Sequence, residues 1–89
     1  MDAIAEVFRI DGERVADTVL ESCGKLDSAR GEVILDLSAV HRVDSRGLRA
    51  LQDLADRAYQ KSVKVVLRGV NVDIYKVLKL AKLASRFSL

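Results

Sequence analysis

The sequence has little that could cross-link a small protein or carry it through a membrane. Only one of its 89 residues is cysteine, which excludes an intrachain disulfide and a cysteine zinc site. No apolar run reaches the roughly 18 residues that a transmembrane helix needs. The N-terminus also lacks the basic and apolar regions of a signal peptide. We therefore expect a cytoplasmic protein without direct membrane insertion.

Aromatic residues are scarce, at 4% of the chain with no tryptophan, so a platform on which nucleic-acid bases stack is not expected. The net charge of +2 is small and its Lys and Arg residues are scattered, so the charge gives no indication of nucleic-acid binding. Hydrophobic residues at 49% and charged residues at 31% are typical of a globular protein with a real core. We predict a single domain over residues 1–89.

Strand and helix patterns alternate along the chain. The predicted strands are 5–10, 32–40 and 63–70, and the predicted helices are about 15–27, 45–61 and 72–84. Asp11-Gly12 would also permit a hairpin with a second strand from Arg14, but apolar residues at helical spacing from Val15 favour a helix. The β–α–β–α–β–α order is typical of an α/β fold with right-handed crossovers. We predict a small mixed, largely parallel sheet with helices packed on it.

The second predicted strand has a continuous apolar centre, Val33-Ile34-Leu35, which indicates a strand covered on both faces. The last helix is predicted to begin at an N-cap, either Asn71 or Asp73. Its polar side carries a basic stripe, for which a solvated face is the expected role and docking of an acidic partner the alternative. The members of this stripe are Lys76, Lys79, Lys82 and Arg86.

The motif Asp44-Ser45-Arg46-Gly47 follows the second strand and opens the second helix. Loops of this kind commonly meet ligands and partners in open α/β sheets. Ser45 is predicted as the N-cap. It is also a candidate phosphate acceptor, because a helix N-terminus favours an anion and Arg42 and Arg46 could pair with one. Asp44 would repel a phosphate but could orient the hydroxyl, and Gly47 would let a partner's backbone approach closely.

The other chemistry-bearing residues do not assemble into a catalytic pattern. His41 is the only histidine, so it is predicted as a loop residue rather than a metal ligand. Asp36 is expected near a strand end, in contact with a loop, rather than paired with Asp44. Cys23 falls on the apolar side of the first helix and is expected in the core. With no glycine-rich phosphate loop either, we expect no enzyme, no cofactor and no metal.

Residues 33–84 resemble the STAS domain, the fold of bacterial anti-sigma factor antagonists. The shared features are an apolar strand ending in Asp-Leu-Ser at 36–38, Asp-Ser-x-Gly-Leu at 44–48 opening a helix, a Lys-Val-Val-Leu-x-Gly-Val strand at 64–70 and a final amphipathic helix. The resemblance implies a minimal STAS fold and partner switching. In such a switch Ser45 would be phosphorylated by an anti-sigma factor that is also a serine kinase, and the unphosphorylated domain would bind that kinase.

A second branch of the same family is also similar. Arg-Val-Asp-Ser-x-Gly-Leu at 42–48, Leu-Arg-Gly-Val-Asn at 67–71 and Tyr-Lys-Val-Leu-Lys-Leu at 75–80 resemble the small STAS subunit of bacterial phospholipid-trafficking ABC transporters. That resemblance implies a subunit that packs on the transporter's ATPase and regulates it, with the hydroxyl of Ser45 inside a permanent interface. Arg46 fits this alternative at least as well, because antagonists commonly have a small residue at its position.

Both interpretations make the chain a protein-binding module whose partner carries out the catalysis. The resemblance implies that Asp44 supports docking of the partner and that Gly47 and Leu48 shape the loop and its helix. The predicted partner-binding residues are Arg42, Asp44, Ser45, Arg46, Gly47, Leu48 and Arg49. The main interpretation is the phosphorylation switch, and the transporter subunit is the alternative.

Overall fold

The computed structural model describes residues 6–26 and 31–89. Its strands are β1 (Glu6–Arg9), β2 (Glu32–Asp36) and β3 (Lys64–Arg68), and its helices are α1 (Val15–Lys25), α2 (Ser45–Gln60) and α3 (Val72–Leu80). The strands lie in the order β1-β2-β3 and each pair is parallel. The predicted α/β class and the alternating element order are therefore confirmed. The predicted ends at residues 5 and 27 lie outside the described residues.

Two predicted elements end four residues earlier than their apolar patterns suggest, a larger difference than at the other described ends. The strand predicted over 32–40 ends at Asp36, because the next residues turn: the backbone N–H of Ser38 donates to the Asp36 carboxylate at 2.9 Å. The helix predicted over 72–84 ends at Leu80. Its last turn is closed by a hydrogen bond of 2.8 Å from Leu83 N to Leu78 O, with Lys82 at a φ of 61°. This pairing across a left-handed residue is a common helix ending.

The helices cover one face of the sheet. Side chains alternate along each strand, and on the covered face Phe8, Leu35 and Leu67 join a single buried cluster with the inward residues of the helices, such as Leu54 and Leu78. α1 and α2 pack against each other over this face. The cluster gives the fold one core, which lies between the sheet and the helical layer.

No helix within residues 6–26 and 31–89 covers the opposite face of the sheet, which we call the open face. Register aligns its residues in rows across the strands, one apolar row of Val7, Ile34 and Val66 and one charged row of Arg9, Asp36 and Arg68. Val7 is 47% exposed, and Ile34 is only half-buried although it lies on the central strand. The expectation that the second strand is covered on both faces is therefore wrong for this face. Ile34 is shielded by its row neighbours instead of by a helix.

The chain between Phe87 and Leu89 lies against the far side of β3. Ser88 N donates to Val65 O at 2.9 Å and Leu67 N donates to Ser88 O at 2.7 Å. These two bonds form an isolated parallel bridge between Ser88 and Val66. Two outer backbone groups of β3, Val65 O and Leu67 N, are thus satisfied by the chain itself, which protects this part of the sheet edge from unwanted pairing.

The turn after β1 is held tightly against the turn after β2. Ile10 N donates to Asp36 O at 3.0 Å, and Gly12 lies so close to Ala39 that a Cβ on Gly12 would overlap the Ala39 carbonyl oxygen. Only glycine fits at this contact. Because the carboxyl ends of parallel strands meet at one edge of the sheet, this packing brings the start of α1 next to the loop that precedes α2.

Candidate partner-binding site

Asp44, and not Ser45, is the N-cap of α2. The Asp44 backbone is extended, and its carboxylate oxygen Oδ1 accepts a hydrogen bond of 2.8 Å from Gly47 N. That N–H is one of the unsatisfied donors at a helix start, and an aspartate cap satisfies it and also carries the favourable charge. The prediction that Ser45 is the N-cap is therefore wrong, because the carboxylate of Asp44, and not the hydroxyl of Ser45, accepts the hydrogen bond from Gly47 N.

Ser45 is the first helical residue, and its side chain is exposed. Within residues 6–26 and 31–89 its hydroxyl makes no hydrogen bond. The hydroxyl can therefore still donate and accept. Its backbone is fixed by the capped first turn, where Leu48 N donates to Asp44 O at 2.9 Å. The result is an unengaged hydroxyl at a rigid position.

A groove of about 380 Å³ lies between the start of α1 and the loop before α2, and its walls include Asp44 and Arg46, the two neighbours of Ser45 in the chain. Its walls carry charges of both signs. Arg46 Nη2 lies 3.8 Å from Asp17 Oδ1 on α1, and Arg14 Nε lies 3.7 Å from Asp17 Oδ2. All three side chains are more than half exposed, so each pair adds at most about 1 kcal/mol to stability. Such pairs can be exchanged for a partner's charges at little cost.

The predicted partner-binding residues divide into an exposed and an internal group. The exposed residues are Arg42, Asp44, Ser45, Arg46 and Arg49, and we call them the Ser45 surface. Gly47 is buried, and a Cβ there would lie 2.9 Å from Val43 Cγ1 and 3.2 Å from Val15 Cγ1. The expectation that Gly47 admits a partner's backbone is therefore wrong, because its open side is filled by the chain's own valines. Leu48 is half-buried against the core.

Sequence reasoning missed Arg14 and Asp17, which the fold places in the same groove as Arg46. They are about thirty residues away along the chain, and α1 carries no motif that marks them. The signal that could have found them is topological. In a parallel sheet the loops after neighbouring strands meet at one edge, so the residues after β1 had to approach the loop after β2.

Asn71 supports the loop from the other side. Its Oδ1 accepts from Ile74 N at 2.8 Å, which confirms Asn71 as the N-cap of α3. Its Nδ2 donates to Val40 O at 3.4 Å and His41 O at 3.3 Å. One amide side chain thus caps α3 and holds the loop that leads to Ser45. His41 itself is an exposed loop residue, as predicted.

Asp36 is at the end of β2 and contacts the following loop, as predicted. The residue is 8% exposed, and its carboxylate accepts hydrogen bonds from Ser38 Oγ at 2.6 Å and Ser38 N at 2.9 Å. Arg68 Nη2 lies 3.5 Å away, and Arg9 Nε lies 4.0 Å away. The Ser38 hydrogen bonds and then the Arg68 charge hold the pKa of Asp36 below its ordinary value. These contacts give Asp36 a structural role at the turn after β2.

Cys23 is 6% exposed and belongs to the core, as predicted. Burial raises the pKa of its thiol, while Arg57 lowers it and Asp53 raises it. A thiol of this kind is a poor nucleophile. In the described ranges, no three His, Cys, Asp or Glu side chains come together in a way that could hold a metal ion. The same ranges contain no helix of the length and apolar character required to cross a bilayer.

Comparison with known proteins gives matches along almost the whole chain. The sequence model of the STAS domain matches residues 4–89. The chain is 35% identical over 79 residues to the intermembrane phospholipid transport system binding protein MlaB of Escherichia coli, covering 88% of this chain and 81% of that protein. The MlaB protein of Shigella flexneri matches equally well. A crystal structure of a sulfate transporter family protein from Wolinella succinogenes shares the fold, with a TM-score of 0.80 at 21% identity, covering 91% of this chain and 69% of that one.

Proposed function

Because this chain belongs to the STAS domain family, we propose that it is a non-catalytic accessory subunit that binds the ATPase of a bacterial phospholipid-transporting ABC system. The observation that carries the proposal is the 35% identity to MlaB over 88% of the chain. Of the two interpretations of the sequence, this relative supports the transporter subunit. ATP is hydrolysed in the cytoplasm, and the proposal places the chain there.

The geometry of the Ser45 surface suits a permanent protein interface. Its backbone is fixed on three sides, by the Asp44 cap, the Asn71 amide and the close contact of Gly12 with Ala39. A surface that is already ordered loses little conformational entropy on binding. The exposed Ser45 hydroxyl adds a polar group that a partner can hydrogen-bond without displacing a bond inside the chain.

The charges around Ser45 suit selective recognition. Arg42, Arg46 and Arg49 are exposed, and arginine is enriched among the residues that dominate binding energies at interfaces. Among the described residues, Arg46 is engaged only by the exposed Asp17 at 3.8 Å, so a carboxylate on the ATPase can replace Asp17. Its planar guanidinium can form two parallel hydrogen bonds with such a carboxylate.

The proposal is tested by titrating the purified chain with the ATPase subunit of the transport system in a calorimeter. We expect Ser45→Asp to weaken binding at least tenfold, about 1.4 kcal/mol, because a charge enters an interface fitted to a neutral hydroxyl. Ser62→Asp is the matched control, since Ser62 is an exposed serine beyond the other end of α2. It should leave the affinity unchanged.

Failure of the wild-type chain to bind the ATPase would contradict the proposed function. Equal weakening by Ser45→Asp and Ser62→Asp would contradict only the assignment of the interface to the Ser45 surface. Circular dichroism of both variants establishes that they are folded, so a loss of binding can be assigned to the interface.

A second candidate function is the phosphorylation switch, which the exposed and unbonded Ser45 hydroxyl favours. A phosphate there would meet the free N–H groups at the start of α2 and the guanidinium of Arg46. Arg46 would then exchange Asp17 for the phosphate. Asp44 opposes this by repulsion. The test is incubation with an anti-sigma kinase and ATP, followed by mass spectrometry. Persistent absence of phosphate on Ser45 excludes the switch and leaves the transporter proposal intact.

A further inference from the structure

α3 has an outward face that is both apolar and basic. Its inward residues Ile74 and Leu78 are buried in the core. Its outward residues include Val72 at 68% exposure, Tyr75 at 42% and Leu80 at 84%. Positions 72, 75, 76, 79 and 80 have the spacing of one helical face. A helix of nine residues thus carries three of the large exposed apolar side chains, which is more than isolated surface residues explain.

The same face carries positive charge that has no counterpart. Lys76, Lys79 and Lys82 are exposed, and none forms an ion pair within the part of the chain that the structure describes. The acidic residue on α3 is Asp73, in the first turn. Arg86, which the sequence grouped with these lysines, is different because its Nη1 lies 2.6 Å from Asp56 Oδ1 on α2. The lysines, and not Arg86, provide the unbalanced charge.

A concave surface adjoins the first turn of this face. A groove of about 410 Å³ runs between the start of α3 and Leu89, and its walls include Leu67, Val70, Val72, Tyr75 and Leu89. Leu89 is itself 55% exposed. Apolar grooves with an aromatic wall are typical sites for the side chains of a bound peptide. We call Val72, Tyr75, Lys76, Lys79, Leu80, Lys82 and Leu89 the α3 face.

We infer that the α3 face is a second docking surface, which binds a partner-protein segment that carries both carboxylates and apolar side chains. The three lysines attract the carboxylates, and the groove takes the apolar side chains. A membrane is the less suitable occupant, because a concave groove accepts side chains whereas a bilayer presents a flat surface. The inference goes beyond the proposed function, since α3 and the Ser45 surface present different residues to a partner.

The probe is a fluorescein-labelled synthetic peptide of alternating leucine and glutamate pairs, with a second peptide in which glutamine replaces glutamate. Fluorescence anisotropy measures binding of each peptide to the full chain. We expect the glutamate peptide to bind, with an affinity that falls several-fold between about 50 mM and 500 mM salt. The glutamine peptide should bind at least tenfold more weakly. Amide shifts in nuclear magnetic resonance spectra should be confined to residues 67–82 and 89.

Matched variants separate this face from general charge and from the other surface. Lys79→Glu should weaken peptide binding at least tenfold. Arg57→Glu, which makes the same charge change on α2, should not. Tyr75→Ala should weaken it several-fold, and Tyr59→Ala, at a tyrosine that is 82% exposed on α2, should not. Ser45→Asp should leave peptide binding unchanged, so that failure here and failure of the ATPase interface are told apart.

Three outcomes would overturn the inference. The first is equal binding of the glutamate and glutamine peptides. The second is an equal loss of affinity in Lys79→Glu and Arg57→Glu. The third is binding to phosphatidylglycerol vesicles that depends on Lys76 and Lys79 while the peptide does not bind, which would make the α3 face a lipid-binding surface.

Discussion

Asp44 and Ser45 are adjacent but have separate tasks. The Asp44 carboxylate holds the first turn of α2 through Gly47 N at 2.8 Å, whereas the Ser45 hydroxyl is exposed and unengaged by the described residues. From sequence, both types are good N-caps. Which of the two residues caps the helix could not be decided from sequence, because it depends on the backbone conformation that turns Asp44 towards the helix. The position of the exposed serine was predictable. That its hydroxyl is left unengaged because Asp44 caps the helix was not.

The separation predicts unequal effects on stability. Asp44→Ala should lower the free energy of unfolding by about 1 kcal/mol, the usual value of a lost N-cap. Ser45→Ala should change it by less than about 0.5 kcal/mol, as at other surface positions. Asp44→Asn is the control, because its amide oxygen can still accept from Gly47 N. Urea denaturation measures all three variants. A larger loss in Ser45→Ala than in Asp44→Ala would contradict the assignment of the cap.

The lowered pKa of Asp36 predicts that the stability of the fold decreases at acidic pH. Its pKa is lowered in the folded chain from an ordinary value of 3.8 by the Ser38 hydrogen bonds and then by Arg68. A lowered folded pKa adds stability at neutral pH, and this stability is lost as the pH falls below the ordinary value through the folded one. Wild type should therefore exceed Asp36→Asn in urea midpoint at pH 7, and the difference should shrink by pH 3. A difference that is constant with pH would show that the charge of Asp36 does not contribute.

At the scale of the elements, all six helices and strands were predictable from apolar spacing, but their ends and their contacts were not. The ends of β2 and α3 depend on hydrogen bonds made after each element, at Ser38 and Leu83. The contact of Gly12 with Ala39 depends on two turns meeting in space, which the sequence marks only as an Asp-Gly dipeptide.

Two glycine substitutions should therefore have opposite signs. Gly12→Ala should lower the free energy of unfolding by about 1–3 kcal/mol, because its Cβ would overlap the Ala39 carbonyl. Gly24→Ala should raise it by about 0.5–1 kcal/mol, because Gly24 is exposed in α1, has nothing within 4 Å of an added Cβ and gains helix propensity. Thermal unfolding of both variants provides the comparison. Destabilisation by Gly24→Ala would contradict the packing described for α1.

At the scale of the molecule, the core lies on one side of the sheet. The open face is ordered in rows by the strand register, so Arg9, Asp36 and Arg68 become neighbours from three separate strands. Alternation in the sequence indicates which residues of a strand share a face of the sheet. The register decides which residues of adjacent strands become neighbours on that face. For this reason the buried residues of α2 could be predicted from spacing, whereas the charged row could not.

The one-sided core predicts a large difference between two leucines. Leu54 is fully buried between α2 and the sheet, whereas Leu80 is 84% exposed. Leu54→Ala should cost about 2–5 kcal/mol, a large part of the 5–15 kcal/mol typical of a small domain. Leu80→Ala should cost less than about 0.5 kcal/mol. Chemical denaturation of both measures the difference. Similar losses would contradict the placement of the core.

The Asn71 side chain has a consequence for the two surfaces considered together. Its oxygen holds the first turn of α3, and its nitrogen holds the carbonyls of Val40 and His41 in the loop before Ser45. A ligand that shifts α3 therefore also strains the support of the Ser45 loop. Thermodynamic linkage is reciprocal, so if a ligand on the α3 face changes affinity at the Ser45 surface by some factor, a partner on the Ser45 surface must change affinity at the α3 face by the same factor. The Asn71 amide is therefore a direct physical contact between the supports of the two surfaces.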